Sequence, residues 1–63
     1  MKITFKGLRA NANLTQAELA EKVGISVHTA KLADKNPDRL PTAVSVKLCE
    51  FYGVSFDDIF FKR

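Results

Sequence analysis

The stretch LTQAELAEKVGISVHTAKLAD, residues 14–34, combines two helix-start signals with a glycine between them. Thr15 and Glu18 have the spacing of a capping box, in which a hydroxyl and a carboxylate each bind the other residue's amide. Gly24 ends the first apolar pattern, as a left-handed residue after a helix does. Ser26 is a suitable N-cap for a second helix that ends at about residue 33 or 34. Because so few residues separate the helices, the stretch predicts a helix-turn-helix unit.

Three further helices are predicted outside this unit. Phe5, Leu8 and Ala12 share one helical face, which predicts a helix over about residues 4–11. Another helix is predicted from residue 41 or 42 to 52, and Gly53 ends it. A last short helix is predicted from Ser55, since SFDD offers a cap and two acids at the helix start. No segment alternates with a period of two, so the predicted fold class is all-α, as a single domain over residues 1–63.

The predicted fourth helix carries an apolar face made of Val44, Leu48, Phe51 and Tyr52. Cys49 lies beside that face, which predicts a buried core residue rather than a reactive thiol. It is the only cysteine of the chain, so no intrachain disulfide is possible. A lone cysteine and the lack of a long apolar run favour a cytoplasmic protein without a membrane span.

The charge pattern is mildly basic and uneven. The formal net charge is +3, and residues 1–33 hold five Lys/Arg against two Asp/Glu, whereas residues 34–63 hold five of each. An anionic partner suits this balance. The chain has a single histidine, His28, and a single cysteine, so neither a metal site nor a catalytic constellation is predicted. We therefore expect no cofactor and no enzymatic activity.

The motifs TQAELA, VGIS and GVSFDDIF resemble the Cro and phage-repressor type of helix-turn-helix regulator, without gaps and over nearly the whole chain. The resemblance implies a compact five-helix, lambda-repressor-like domain whose third helix lies in the major groove of double-stranded DNA. It also implies a homodimer that binds two half-sites about one helical turn apart. The function expected from it is that of a sequence-specific transcriptional regulator, a phage-type repressor that binds an operator.

The resemblance also implies which residues form the binding site. Gln16 matches a glutamine at the start of helix 2 that contacts a phosphate and buttresses helix 3. Free amides and the helix dipole favour an anion at that helix end. Arg9 and Asp34 match a structural ion pair. The positions expected to contact bases or backbone are Ser26, Val27, His28, Thr29, Lys31 and Leu32 in helix 3, followed by Lys35 and Asn36.

Several positions depart from the family pattern. Family members usually have larger apolar residues where this chain has Ala30 and Ala33, and losing both would be costly unless the space were filled. Either phenylalanines fill it, or helix 3 sits differently with Leu32 turned inward. Ser45 stands where leucine is frequent, which predicts that the core face of helix 4 shifts to Val44.

The composition of helix 3 leaves a second function open. Val27 and Leu32 are apolar on a face where a DNA reader usually has polar side chains, although an apolar residue can contact a thymine methyl. Phe60 and Phe61 cannot easily both point inward, so one of them is predicted to face a partner chain. Ala30 and Ala33, the apolar helix 3 and the modest charge favour an alternative function. It is a protein-interaction module on the same fold, such as a phage modulator or antirepressor that binds a repressor.

Overall fold

The computed structural model describes residues 2–61. Four α-helices follow one another in that part of the chain, and two short 3-10 turns interrupt the later connections. The helices are α1 (Phe5–Asn11), α2 (Gln16–Val23), α3 (Val27–Lys35) and α4 (Thr42–Tyr52). The 3-10 turns cover Pro37–Arg39 and Phe56–Asp58. Residues 2–61 form no extended sheet, and the predicted all-α class is confirmed.

Local side-chain caps set the helix starts. The Thr15 hydroxyl accepts from the Glu18 amide at 3.0 Å, and the Glu18 carboxylate accepts from the Thr15 amide at 2.8 Å. Ser26 caps α3 by accepting from the Thr29 amide at 3.0 Å. These two predicted caps are confirmed. Thr4, predicted as a helical residue, instead caps α1 by accepting from the Gly7 amide at 3.0 Å.

The predicted fifth helix is wrong, because residues 56–58 form only a 3-10 turn. Ser55 caps this turn, with its hydroxyl accepting from the Asp57 amide at 3.3 Å. The backbone then becomes extended at Ile59, which forms an isolated parallel bridge with Ile3. The Phe60 amide donates to the Ile3 carbonyl at 2.7 Å. A longer helix would remove this pairing, so a tertiary contact ends the helix after one turn.

The third helix keeps its small residues in the core. Ala30 and Ala33 are 0% and 1% exposed, and α3 contacts both α1 and α2. Alanine leaves little side chain between the helices, so their backbones can approach closely. Leu32 is half-buried and also packs against the core. The core therefore closes around α3 without large anchoring residues.

The buried side of α4 differs from the prediction. Its buried residues are Ser45, Leu48 and Cys49, which follow the i, i+3, i+4 spacing of one helical face. The predicted shift to Val44 is wrong, because Ser45 keeps its place in the core and Val44 is only half-buried. The prediction that Phe51 belongs to the apolar face of this helix is also wrong, since 40% of Phe51 is exposed. The prediction that Cys49 is a core residue is confirmed.

Aromatic side chains close the end of the core near the Ile3–Ile59 bridge. The half-buried Phe61 ring lies edge-on to Phe5, with the ring centroids 5.9 Å apart. Its centroid is 5.1 Å from that of Phe56. Phe60 makes no ring contact of this kind and is 42% exposed. As predicted, only one of the two neighbouring phenylalanines packs inward.

Candidate nucleic-acid interface

The turn between α2 and α3 orients the two helices of the candidate interface. Gly24 has a φ of +85°, in the left-handed region, and its amide donates to the Ala20 carbonyl at 2.9 Å. The Ile25 amide donates to the same carbonyl at 3.0 Å. Both bonds cap the carboxyl end of α2. Ser26 then starts α3 at once, so α3 leaves the turn with its free amides at the surface.

The two sides of α3 differ sharply in exposure. Ala30 and Ala33 are buried, whereas Val27, His28 and Lys31 are exposed and Val27 reaches 43%. A shallow groove runs along the exposed side and is lined by His28, Lys31, Leu32, Lys35 and Asn36. Five of the residues predicted from sequence therefore lie together on one surface. It offers two ammonium groups, an imidazole, an amide and an apolar wall.

The hydroxyls at the start of α3 are already engaged with each other. The Ser26 and Thr29 hydroxyl oxygens lie 2.9 Å apart, and the Ser26 oxygen also accepts from the Thr29 amide. A hydroxyl has one hydrogen and two lone pairs, so this pair can still accept from or donate to a further group. Ser26 caps α3 and Thr29 belongs to its first turn, and neither residue lines the groove.

Gln16 lies apart from the groove, at the first position of α2. Its side-chain Nε2 donates to Asp34 Oδ2 at 2.9 Å. The first amides of a helix have no intrahelical acceptor, so the Gln16 and Ala17 N–H groups can bind another acceptor. The Glu18 carboxylate lies at the same helix end, and its hydrogen bonds from the Thr15 amide and hydroxyl lower its pKa. The end of α2 thus combines free donors with one fixed anion.

Arg9 and Asp34 form an ion pair between α1 and α3. Arg9 Nη2 lies 2.8 Å from Asp34 Oδ2, and Nε donates to the same oxygen at 3.1 Å. Only 18% of the Arg9 side chain and 5% of the Asp34 side chain are exposed. The bond to Asp34 raises the pKa of Arg9, against the opposing effect of burial. Arg9 Nη1 also donates to the Leu14 carbonyl at 2.7 Å, which fixes the connection between α1 and α2.

The resemblance implied that Gln16 buttresses helix 3, but Asp34 as its hydrogen-bond partner was not predicted from the sequence. The residues are 18 positions apart, and no local spacing rule joins the start of one helix to the end of the next. Tyr52 was predicted only as a core residue. Its hydroxyl is buried and has no hydrogen-bond partner among residues 2–61. Burial raises the Tyr52 pKa, while the Arg9 charge lowers it and the Asp34 charge raises it.

No helix within residues 2–61 is long and apolar enough to cross a bilayer.

The comparisons with known proteins agree with the geometry of the two central helices. Residues 4–60 match the family model described as the Cro/C1-type HTH DNA-binding domain. The chain is similar to an uncharacterized HTH-type transcriptional regulator of Methanocaldococcus jannaschii, with 38% identity over 60 residues, 95% of this chain and 91% of that protein. No solved structure matches the chain. The chain belongs to the family of Cro/C1-type helix-turn-helix DNA-binding domains.

Proposed function

We propose that this protein is a sequence-specific transcriptional regulator, acting as a repressor, that inserts α3 into the major groove of double-stranded DNA. The observation that carries the proposal is the exposed groove of α3 opposite the buried Ala30 and Ala33. An α-helix with its side chains is about 10–12 Å in diameter and fits a major groove about 12 Å wide. The exposed side chains would then face the base edges.

Base reading is assigned to the exposed side of α3. His28 and Lys31 can donate to the guanine N7 and O6 acceptors that line the major groove. Val27, the most exposed large apolar side chain of α3, suits a thymine methyl. Leu32 forms the apolar wall of the groove behind them. Together these residues favour a mixed site with both guanine and thymine contacts.

Backbone contacts are assigned to the two ends of the helix-turn-helix unit. Gln16 and the first amides of α2 offer N–H donors to one phosphate. Lys35 and Asn36, at and after the end of α3, suit a phosphate on the other side of the groove. Ser26 and Thr29 lie at the start of α3 and suit a backbone or base-edge oxygen. Such contacts fix the register of α3 but do not specify sequence.

We also propose that two copies bind one operator with two half-sites. Phe51, Phe56 and Phe60 are large apolar side chains that are 40–42% exposed. Covering them in a dimer would add apolar burial to a domain of only 63 residues. Sedimentation equilibrium of the free protein and of its DNA complex tests this. A single copy on a two-fold related site would contradict it.

Selection from random duplex DNA at low salt tests the regulator proposal. A preferred sequence is expected, and His28→Ala should change the preference at one base position. Lys35→Ala should weaken binding to all sequences and reduce the slope of log affinity against log salt by about 1. Lys47→Ala is the charge-matched control, because Lys47 is an exposed lysine of α4. It should change neither the affinity for DNA nor its salt dependence. Recovery of no preferred sequence would refute the proposal.

A second candidate function follows from the exposure of Val27. A side chain that is 43% exposed beside the Leu32 wall also suits an apolar protein surface, such as that of a repressor. Pull-down from nuclease-treated host lysate separates the two functions. A stoichiometric protein partner that survives nuclease and is lost with Val27→Asp would favour this second function.

A further inference from the structure

We propose that Asp34 is a positioning residue that aims the Gln16 side chain at a DNA phosphate. The inference rests on the proposed function and concerns how its phosphate contact is prepared. The observation behind it is the 2.9 Å hydrogen bond from Gln16 Nε2 to Asp34 Oδ2. This bond joins the first residue of α2 to the last turn of α3.

Asp34 is a rigid acceptor. Its side chain is 5% exposed, and Arg9 holds it through Nη2 at 2.8 Å and Nε at 3.1 Å. The backbone of α3 and the guanidinium therefore both fix the carboxylate before any ligand arrives. A glutamine side chain that is bound to such an acceptor loses its rotamer freedom in the free protein rather than on binding.

The carboxylate also fixes which end of the Gln16 amide faces it. An ionised carboxylate only accepts hydrogen bonds, so the NH₂ end of the amide must point toward Asp34. One of the two Nε2 hydrogens makes this bond, and the second remains for a further acceptor. The free Gln16 and Ala17 backbone amides lie at the same helix end. A phosphate oxygen there could accept from the second hydrogen and from these amides.

Arg9 makes this arrangement compatible with an anion. An unpaired carboxylate near a phosphate would repel it, but the Asp34 charge is balanced by Arg9 at 2.8 Å. The pair thus supplies a fixed acceptor without a net negative charge. Asp34 belongs to α3 and Gln16 to α2. The phosphate contact of Gln16 therefore depends on the position of α3 relative to α2.

A double-mutant cycle on DNA affinity tests the inference. Gln16→Ala, Asp34→Ala and the double variant are titrated against the site recovered by selection, under conditions where circular dichroism shows each to be folded. Gln16→Ala should weaken binding about tenfold, as expected for a lost hydrogen bond to a charged group. Asp34→Ala should weaken it severalfold when Gln16 is present, and by less than about twofold in the Gln16→Ala background.

A purely structural role of Asp34 predicts a different cycle. Loss of the ion pair to Arg9 would then weaken binding by the same factor in both backgrounds, and this result would overturn the inference. Asp38→Ala is the matched control, because Asp38 is an exposed acid just after α3. Its effect on affinity should be equal in both backgrounds. If Asp34→Ala does not fold, Asp34→Leu, which has a similar volume and no hydrogen-bond acceptor, carries the same cycle.

A measurement without DNA separates this inference from the proposed function. Nitrogen-15 relaxation of the Gln16 side-chain NH₂ should show restricted motion in the native protein and free motion in Asp34→Ala. Free motion in the native protein would overturn the inference while leaving DNA binding untouched. Restricted motion together with an additive cycle would also overturn it. Failure of the native protein to bind any DNA would overturn the proposed function and the phosphate contact with it.

Discussion

Replacement of Arg9 by methionine should destabilise the fold more than any other charge removal on α1. The change deletes the guanidinium that binds Asp34 and the Leu14 carbonyl, at 2.8 and 2.7 Å. Methionine keeps most of the apolar stem of the arginine side chain. The change in the free energy of unfolding therefore comes mainly from the lost polar contacts. The Asp34 side chain is only 5% exposed in the native structure. Without Arg9, Gln16 would be its one remaining side-chain donor among residues 2–61.

The expected cost is large for a domain of this size. Breaking a buried ion pair from one side costs about 3–5 kcal/mol, and the 18% exposure of Arg9 places this pair near the lower value. Small domains are stable by about 0.05–0.15 kcal/mol per residue, which is about 3–9 kcal/mol for 63 residues. A loss of about 3 kcal/mol would lower the melting temperature by about 12–24 °C.

Urea unfolding followed by circular dichroism measures this effect. Lys6→Met is the matched control, since Lys6 is an exposed cation on the same helix and its replacement changes the net charge equally. The control should change the free energy of unfolding by no more than about 0.5 kcal/mol. The further change Asp34→Leu in the Arg9→Met background should recover part of the loss, because no unpaired carboxylate remains buried. If Arg9→Met lowered the free energy of unfolding no more than Lys6→Met does, the proposed contribution of the ion pair to stability would be refuted.

Three further predictions concern stability and are checked by the same unfolding measurement. Tyr52→Phe should raise the free energy of unfolding by about 1 kcal/mol, since the buried hydroxyl has no partner within residues 2–61; a decrease would show that the hydroxyl is satisfied. Gly24→Ala should lower it by about 1–2 kcal/mol, because φ is +85° there although the added carbon meets no atom within 4 Å; an unchanged value would contradict the strain argument. The lowered pKa of Glu18 means that its charged form stabilises the fold at neutral pH and that this contribution is lost as the pH falls through the folded-state pKa. Glu18→Gln should therefore lose less stability than the native protein between pH 7 and pH 3, and equal losses would argue against a role for the carboxylate.

The helix starts could be predicted from the sequence because their determinants are local. The Thr15–Glu18 box and the Ser26 cap each depend on residues three positions apart, and both form as predicted. The prediction of a fifth helix was wrong because a contact between distant parts of the chain decides the structure there. Ser55 offers a valid cap, but the extended pairing of Ile59 with Ile3 joins positions 56 residues apart along the chain, and no local pattern shows it.

The candidate site divides in the same way. The exposed side of α3 could be predicted, because helical periodicity separates His28 and Lys31 from the buried Ala30 and Ala33. The side-chain link from Gln16 to Asp34 depends on the angle between two helices, which sequence spacing alone does not give. Ser45 shows a third case. The core face of α4 was predicted to shift to Val44, yet Ser45 is 2% exposed because it shares one buried helical face with Leu48 and Cys49.

The parallel bridge between Ile3 and Ile59 has a consequence for the order of elements along the chain. Because the two segments lie side by side and run in the same direction, a linker from residue 61 to residue 2 has to travel back over about 10 Å of strand. Such a linker would join the ends without moving either segment, and new ends could be opened at Asn13, in the turn before α2. A circular permutant of this kind would begin with α2 and end with α1. The two helices of the candidate interface would remain contiguous, and α1 would dock as the last element instead of the first.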